Sequence, residues 1–417
     1  MKRFLFIILT LCTMLVSYAM NSFAWNYPLD IDPVEIRFKH GYSNGALSIK
    51  KNYSTTIPVP EYVLSPYRSG KFAYIKGAAP SVLVKFFTIS PDPSIPLTID
   101  AITATGTIIW NLQQKKVLFN GSGFSIGDSL NPSNYVTMNT VSGLSVPNYV
   151  YICSPIWNWR VVKVGETPYS YSMGNTTHSY YTILAIPDST ISPCIVPWTD
   201  VLDKACAWAG GATAAGGAAT AITGGLYTFG FDYDITGSRH YSTGYSFDLS
   251  HFLNKGNGIY VDCDDMAMAV VSFSNSIGCN LSARYFGNWG SGNRLDHPVN
   301  CVDPIGNPGP TNSPIGGLNR IQNDCRLPSD GFTYHMYAYD SSSSKVWDAT
   351  LKYDTGSDPD HVGGSNPGCG NTTTPTPIWT LPTNVLESTY KTNLFDPFPL
   401  WFQNQPPASG SVSFYAY

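Results

Sequence analysis

The stretch Gly258–Gly278, GIYVDCDDMAMAVVSFSNSIG, decides how the chain is read. Asp262 stands where a helix N-cap belongs, because its carboxylate can accept a backbone N–H of the first turn. Ala267, Ala269, Val270 and Phe273 carry an apolar helix onward, so Cys263 falls in that first turn. There the unpaired N–H groups and the positive end of the helix dipole favour a thiolate. The same N–H groups can hold the oxyanion formed when sulfur attacks a carbonyl. Asp264 and Asp265 oppose this, since nearby negative charge raises a thiol pKa. A reactive Cys263 therefore calls for a cationic partner, and an imidazolium is the usual one. The other reading makes Cys263 a structural half-cystine and the aspartates ordinary helix-start residues.

Of the seven histidines, His335 lies in the strand-like segment FTYHMYAYD (332–340), where His335, Tyr337 and Tyr339 alternate onto one face. The next such segment, KVWDATLKYD (345–354), carries Asp348 behind Trp347. A hairpin turning on Ser341-Ser342 sets His335 directly opposite Asp348 on the same face, within hydrogen-bonding reach. A three-residue loop would break that register. Such a carboxylate orients an imidazole for proton transfer, or simply stabilises a sheet. His40 and His178 are isolated in the sequence and are expected in surface or loop positions.

Cys at a helix start, His on a strand and Asp on the next strand, in that order, resemble the core of the transglutaminase-like superfamily, a papain-related fold. GIYVDCDDMAMAVVSFSNSIGC matches its nucleophile helix, TYHMYAY its His strand and KVWDATL the strand with Trp before Asp. The resemblance covers roughly residues 197–355. It implies Cys263 as nucleophile, His335 as general base and acid, and Asp348 as orienting carboxylate. Two features depart from the family pattern. The turn Gly278–Arg284 is longer than the usual Gly-Ile-Pro-Ala-Arg type, and a long insertion runs from about Phe286 to Phe332. For the second oxyanion donor, Tyr227, Trp208 and Tyr245 all stand open.

Outward from this core, PWTDVLDKACAWAGGATAAGGAATAITGG (197–225) reads as an Ala-rich buried helix capped by Thr199 or Asp200 and weakened by its Gly doublets. Large aliphatic residues are too scarce there for a membrane span. Residues 25–196 are rich in β-branched and aromatic runs, among them SVLVKFFTI (81–89) and GTIIWNL (106–112). They predict an immunoglobulin-like β-sandwich. The expected fold is thus α+β: a β-sandwich (25–196), a transglutaminase-like domain (197–355) and a Pro/Gly/Thr-rich C-terminal extension (356–417) draped over them. Lys2-Arg3, an apolar run from Phe4 to Val16 and the small-residue site at Ala24 have the layout of a cleaved signal peptide, residues 1–24, predicting a secreted, periplasmic or cell-surface protein.

Eight cysteines remain beyond that leader. An even number suits four disulfides and would consume Cys263. The pairing Cys153–Cys194, Cys301–Cys325 and Cys206–Cys279 leaves Cys263 and Cys369 as thiols. A net charge of −4 with no basic block gives no electrostatic case for nucleic acid. No spacing suggests zinc or a phosphate loop, so no cofactor or metal is expected, and Asp358-Pro-Asp360 reads as a surface turn rather than a calcium site. The sequence thus points to acyl transfer at an amide or peptide carbonyl of a protein, peptide or amide substrate, by hydrolysis or amine transfer. Its rivals are a non-catalytic binding or scaffold protein of the same fold and a glycan binder using exposed Trp and Tyr.

Overall fold

The computed structural model describes residues 30–38, 46–58, 62–64, 68–79, 81–89, 97–110, 113–126, 136–140, 145–163, 170–187, 196–234, 238–287, 302–306, 334–355, 378–394 and 409–417. Within them the protein is mixed α+β, with several small sheets and few helices. The proposed leader, His40, Cys194, Cys301, Cys325, Cys369, Asp358–Asp360 and most of the insertion lie outside the described residues.

The N-terminal strands form one antiparallel nine-stranded sheet. Its order is Ser170–Thr177, Ile156–Lys163, Leu97–Trp110, Gln113–Ile126, Val136–Thr140, Ser81–Ile89, Asp30–Arg37, Tyr62–Val63, Arg68–Ser69. A three-stranded sheet, Lys71–Ile75, Ser179–Ile183 and Tyr151–Cys153, is separate from it in pairing and includes one parallel pair. Strands were expected here, but an immunoglobulin-like sandwich is not confirmed. Two sheets of comparable size would be needed, and here one sheet takes nine strands, two of them in a hairpin paired from Leu97↔Ile126 to Trp110↔Gln113.

The small sheet shares an apolar core with the helices that follow: Ala73, Tyr181 and Ile183 join Leu202, Ile222, Val270 and Phe273. The Ala-rich stretch does split in two, Thr199–Trp208 and Ala215–Tyr227. The break falls at the first Gly doublet, where Gly211 N–H donates to Val150 O and Val150 N–H to Ala212 O, so the residue before the strand Tyr151–Cys153 takes the backbone groups that the helix gives up. The second doublet sits in the first turn of the second helix. Neither Thr199 nor Asp200 caps the first; Trp198 is its N-cap, without a side-chain bond.

The helix Cys263–Ser276 is buried along its whole length. Its Val, Met and Phe side chains each contribute roughly 1.5–3 kcal/mol by leaving water. Two of its serines bond back to the helix: Ser272 Oγ donates to Met268 O and Ser276 Oγ to Ser272 O, each at 2.7 Å, while Ser274 Oγ is buried without a partner. Asn275 closes the following turn, donating to Leu281 O at 2.8 Å and accepting from Leu281 N–H at 2.7 Å. Gly278 is required at that turn. Its φ is +86°, and a Cβ there would meet Ala185 O at 2.6 Å.

The His strand (Tyr334–Asp340) lies at the centre of a five-stranded sheet in the order Thr383–Leu386, Lys345–Trp347, Tyr334–Asp340, Ser282–Gly287, Ser409–Val412. Both outer strands come from the C-terminal extension. Tyr415–Ala416 joins another sheet beside Ser246–Phe247, so the described parts of the extension are woven in strand by strand. Among the described residues no helix is long and apolar enough to cross a membrane.

Candidate active site

The helix start is built as the residue types require. Asp262 accepts Asp265 N–H at 2.9 Å, and the Asp265 carboxylate returns a bond to Asp262 N–H at 3.2 Å, a reciprocal capping box. Asp265 also accepts N–H from His240 (3.1 Å), Tyr241 (3.0 Å) and Ser242 (2.6 Å), clamping residues 240–242 to the helix. Asp264 is fully buried and ion-paired to Arg239 Nε at 2.6 Å, and Tyr334 OH donates to it at 3.3 Å. Burial works against the Arg239 charge, but Asp264 and Tyr334 outweigh it and raise the guanidinium pKa.

Cys263 follows Asp262 into this acidic pocket and is 4% exposed. Burial, first, and the charges of Asp264 and Asp262 push its thiol well above the ordinary range, while a bond from Met336 N–H pulls the other way. At a helix start the dipole alone would favour thiolate; here burial and two carboxylates win, and the resting group is a thiol. Cys263, Cys153, Cys206 and Cys279 are all free. The expected Cys206–Cys279 bridge is not formed, although Cys279 is near enough for its charge to act on Cys206.

His335 precedes Met336, whose amide reaches the Cys263 sulfur, and the imidazole is fully buried. Its Nε2 lies 2.8 Å from Asp348 Oδ2. The contact forms in a different register from the one expected. The hairpin turns through four residues, Ser341–Ser344, pairing Ala338 with Trp347 and Tyr339 with Val346. Asp348 follows the last paired residue, and this register displaces it by two positions. A two-residue shift preserves the face, where a one-residue slip would reverse it, so the carboxylate meets His335 diagonally. The strand ends at Trp347, whose indole N–H anchors on Thr220 Oγ1 at 3.1 Å. Asp348 then turns back on itself: its Oδ1 accepts Thr350 N–H at 2.8 Å, and its own N–H donates to Pro382 O at 2.8 Å.

With Nε2–H committed to the carboxylate, neutral His335 carries its lone pair on Nδ1. The Asp348 charge also acts on the Cys263 thiol and on the Tyr233 phenol. Although His335 and Asp348 stand 72 and 85 residues beyond Cys263 in the chain, the three therefore lie together at the helix start. The three residues named as oxyanion donors do not. Tyr227 OH donates to Asp303 O at 3.4 Å, Trp208 packs on Phe229 and Phe273, and Tyr245 is exposed. Two phenols feel the Cys263 charge, Tyr334 and Tyr233; Tyr233 is buried, and burial first and that charge second raise its pKa and keep it an O–H donor. Arg239, Tyr233 and the Asp265 clamp carry no signature in the sequence, since only the fold brings residues 232–242 against the helix start. Among the described residues no cluster of three or more His, Cys, Asp or Glu could hold a metal ion.

No family model matches the chain, and no curated protein matches it. Among solved structures, a transglutaminase of red sea bream aligns over 67% of this chain and 48% of its own length, at 10% identity and a TM-score of 0.33. The aligned region thus spans less than half of that protein.

Proposed function

We propose that the chain is an exported, transglutaminase-like acyl-transfer enzyme acting on amide or peptide carbonyls. The observation that carries this reading is the buried His335–Asp348 pair set beside the Cys263 thiol. His335 Nδ1 takes the thiol proton as sulfur attacks the carbonyl carbon, and Asp348 stabilises the imidazolium that forms. The Tyr233 hydroxyl and the amides of the helix start receive the oxyanion. His335 then returns its proton to the leaving amine, the C–N bond breaks and a thioester remains on Cys263. Water gives hydrolysis and a second amine gives transfer, each deprotonated by the same imidazole. Arg239 has an electrostatic part, because it balances Asp264 and limits the negative charge felt by the nascent thiolate.

A second reading, a binding or scaffold protein that keeps the fold without the chemistry, is favoured by the near-complete burial of Cys263. An activated ester separates the two. On p-nitrophenyl acetate the enzyme releases a stoichiometric burst of nitrophenol and gains an acetyl group on Cys263, found by peptide mass mapping. A Cys263→Ala variant with the same burst, or a wild-type protein without one, removes the enzyme reading.

A further inference from the structure

Asp348 Oδ2 accepts a second hydrogen bond, from Tyr390 OH at 2.8 Å. Tyr390 is completely buried and sits on the helix Glu387–Leu394, within the C-terminal extension and 42 residues beyond the carboxylate it touches. We infer that Tyr390 is a positioning residue for His335, acting through Asp348, and that the C-terminal extension is therefore a working part of the site; this rests on the acyl-transfer reading above. With Thr350 N–H on Oδ1 and two donors on Oδ2, the carboxylate cannot rotate. The plane of the carboxylate sets the line along which His335 Nε2–H is held, and hence where Nδ1 points.

The helix that carries Tyr390 is itself fixed to the strands beside the site. Glu387 at its start accepts Tyr337 OH at 2.5 Å and pairs with Arg284 Nε at 2.9 Å and Lys391 Nζ at 3.3 Å. Lys391 also bonds Ser409, on the last strand of the five-stranded sheet. Arg284 lies over the Tyr339 ring at 4.3 Å. Tyr337 is two residues from His335 on the same strand and packs on Tyr390 with ring centroids 5.3 Å apart. The network thus joins the carboxylate that holds the imidazole, and the strand that carries it, to one helix of the extension.

Tyr390→Phe removes one oxygen and keeps the ring. The full chain is compared with wild type by the acylation rate on p-nitrophenyl acetate and by the low-field NMR resonance of the His335 Nε2 proton. Acylation is expected to fall roughly tenfold, with ester KM unchanged and the resonance shifted or broadened. Tyr390→Ala, with a larger loss that Tyr390→Phe does not share, would mean that only packing matters and would overturn the inference. A Tyr390→Phe protein with a lower Tm but the wild-type resonance and wild-type rate would overturn it as well. Absence of acylation in the wild type is a distinct result. It overturns the acyl-transfer reading, and the inference with it, whatever the variants do.

Discussion

Among the described residues two histidines are buried, His335 beside Cys263 and His178 in the N-terminal β region, and their surroundings differ in kind. His178 is enclosed by rings: Trp157 at 4.3 Å between centroids, Phe38 and Tyr62 at 5.4 Å. Its polar contact is the Thr176 hydroxyl at 2.7 Å from Nε2. Burial pushes its pKa down to about 3, so it remains a neutral ring in a core. From the sequence it belongs on the surface or in a loop, because a lone His among polar residues gives no hint that an aromatic cage closes around it. His335 is equally buried but meets a carboxylate that a tyrosine and a backbone amide hold in place. Burial alone makes a histidine inert. A fixed carboxylate gives the ring a defined orientation.

The largest effect should separate the two by function. His335→Ala is expected to lower the acylation rate 10²–10⁴-fold, about 3–5 kcal/mol of barrier, whereas His178→Leu should leave the rate per folded molecule within about twofold. A comparable loss in both variants would erase the distinction.

The next effect is thermodynamic and belongs to His178. Its imidazole titrates near 6.5 when unfolded and near 3 when folded. The folded state therefore binds fewer protons, and the stability it holds above pH 6.5 is lost as the pH falls toward 3. The loss approaches about 4 kcal/mol at the acid end. Denaturant titrations of wild type and His178→Leu should converge as the pH drops across that window; parallel curves would contradict the assignment.

Gly278→Ala tests the join between the nucleophile helix and the β region. A positive φ and the Ala185 carbonyl both oppose a methyl group there, and a loss of about 2–4 kcal/mol is expected in chemical denaturation. Asp262→Ala gives the smallest change in stability, a loss of about 1 kcal/mol from the missing cap. It should also speed thiol alkylation, since removing a neighbouring carboxylate lowers the Cys263 pKa.

Much of the site was legible because it rests on local rules. Asp262 declares a helix start, and the helix through Phe273 follows from its apolar residues. Alternation along 334–340 marks a strand, and face parity brings His335 and Asp348 together even though the turn proved two positions different. What was not legible depends on long-range closure. Arg239, Tyr233 and Tyr390 reach the site from separate segments, and none of them stands in a periodic pattern. The N-terminal strands were recognisable by composition, but composition does not fix which strand pairs with which, and the nine-stranded order departs from the expected sandwich. The Cys206–Cys279 bridge belonged to the pairing that leaves Cys263 a thiol, and cysteine positions in the sequence carry no information about which of them meet.

The central claim is that Cys263 and His335 act as one unit. The most direct measurement is the rate of iodoacetamide alkylation of the native protein against pH, with each cysteine followed by mass spectrometry. The account predicts that Cys263 labels ahead of Cys153, Cys206 and Cys279. Its rate should climb through pH 9 without a neutral plateau, because the resting thiol is held protonated, and should fall by about tenfold or more in His335→Ala. A Cys263 that labels only after unfolding, or at the same rate without His335, would contradict it.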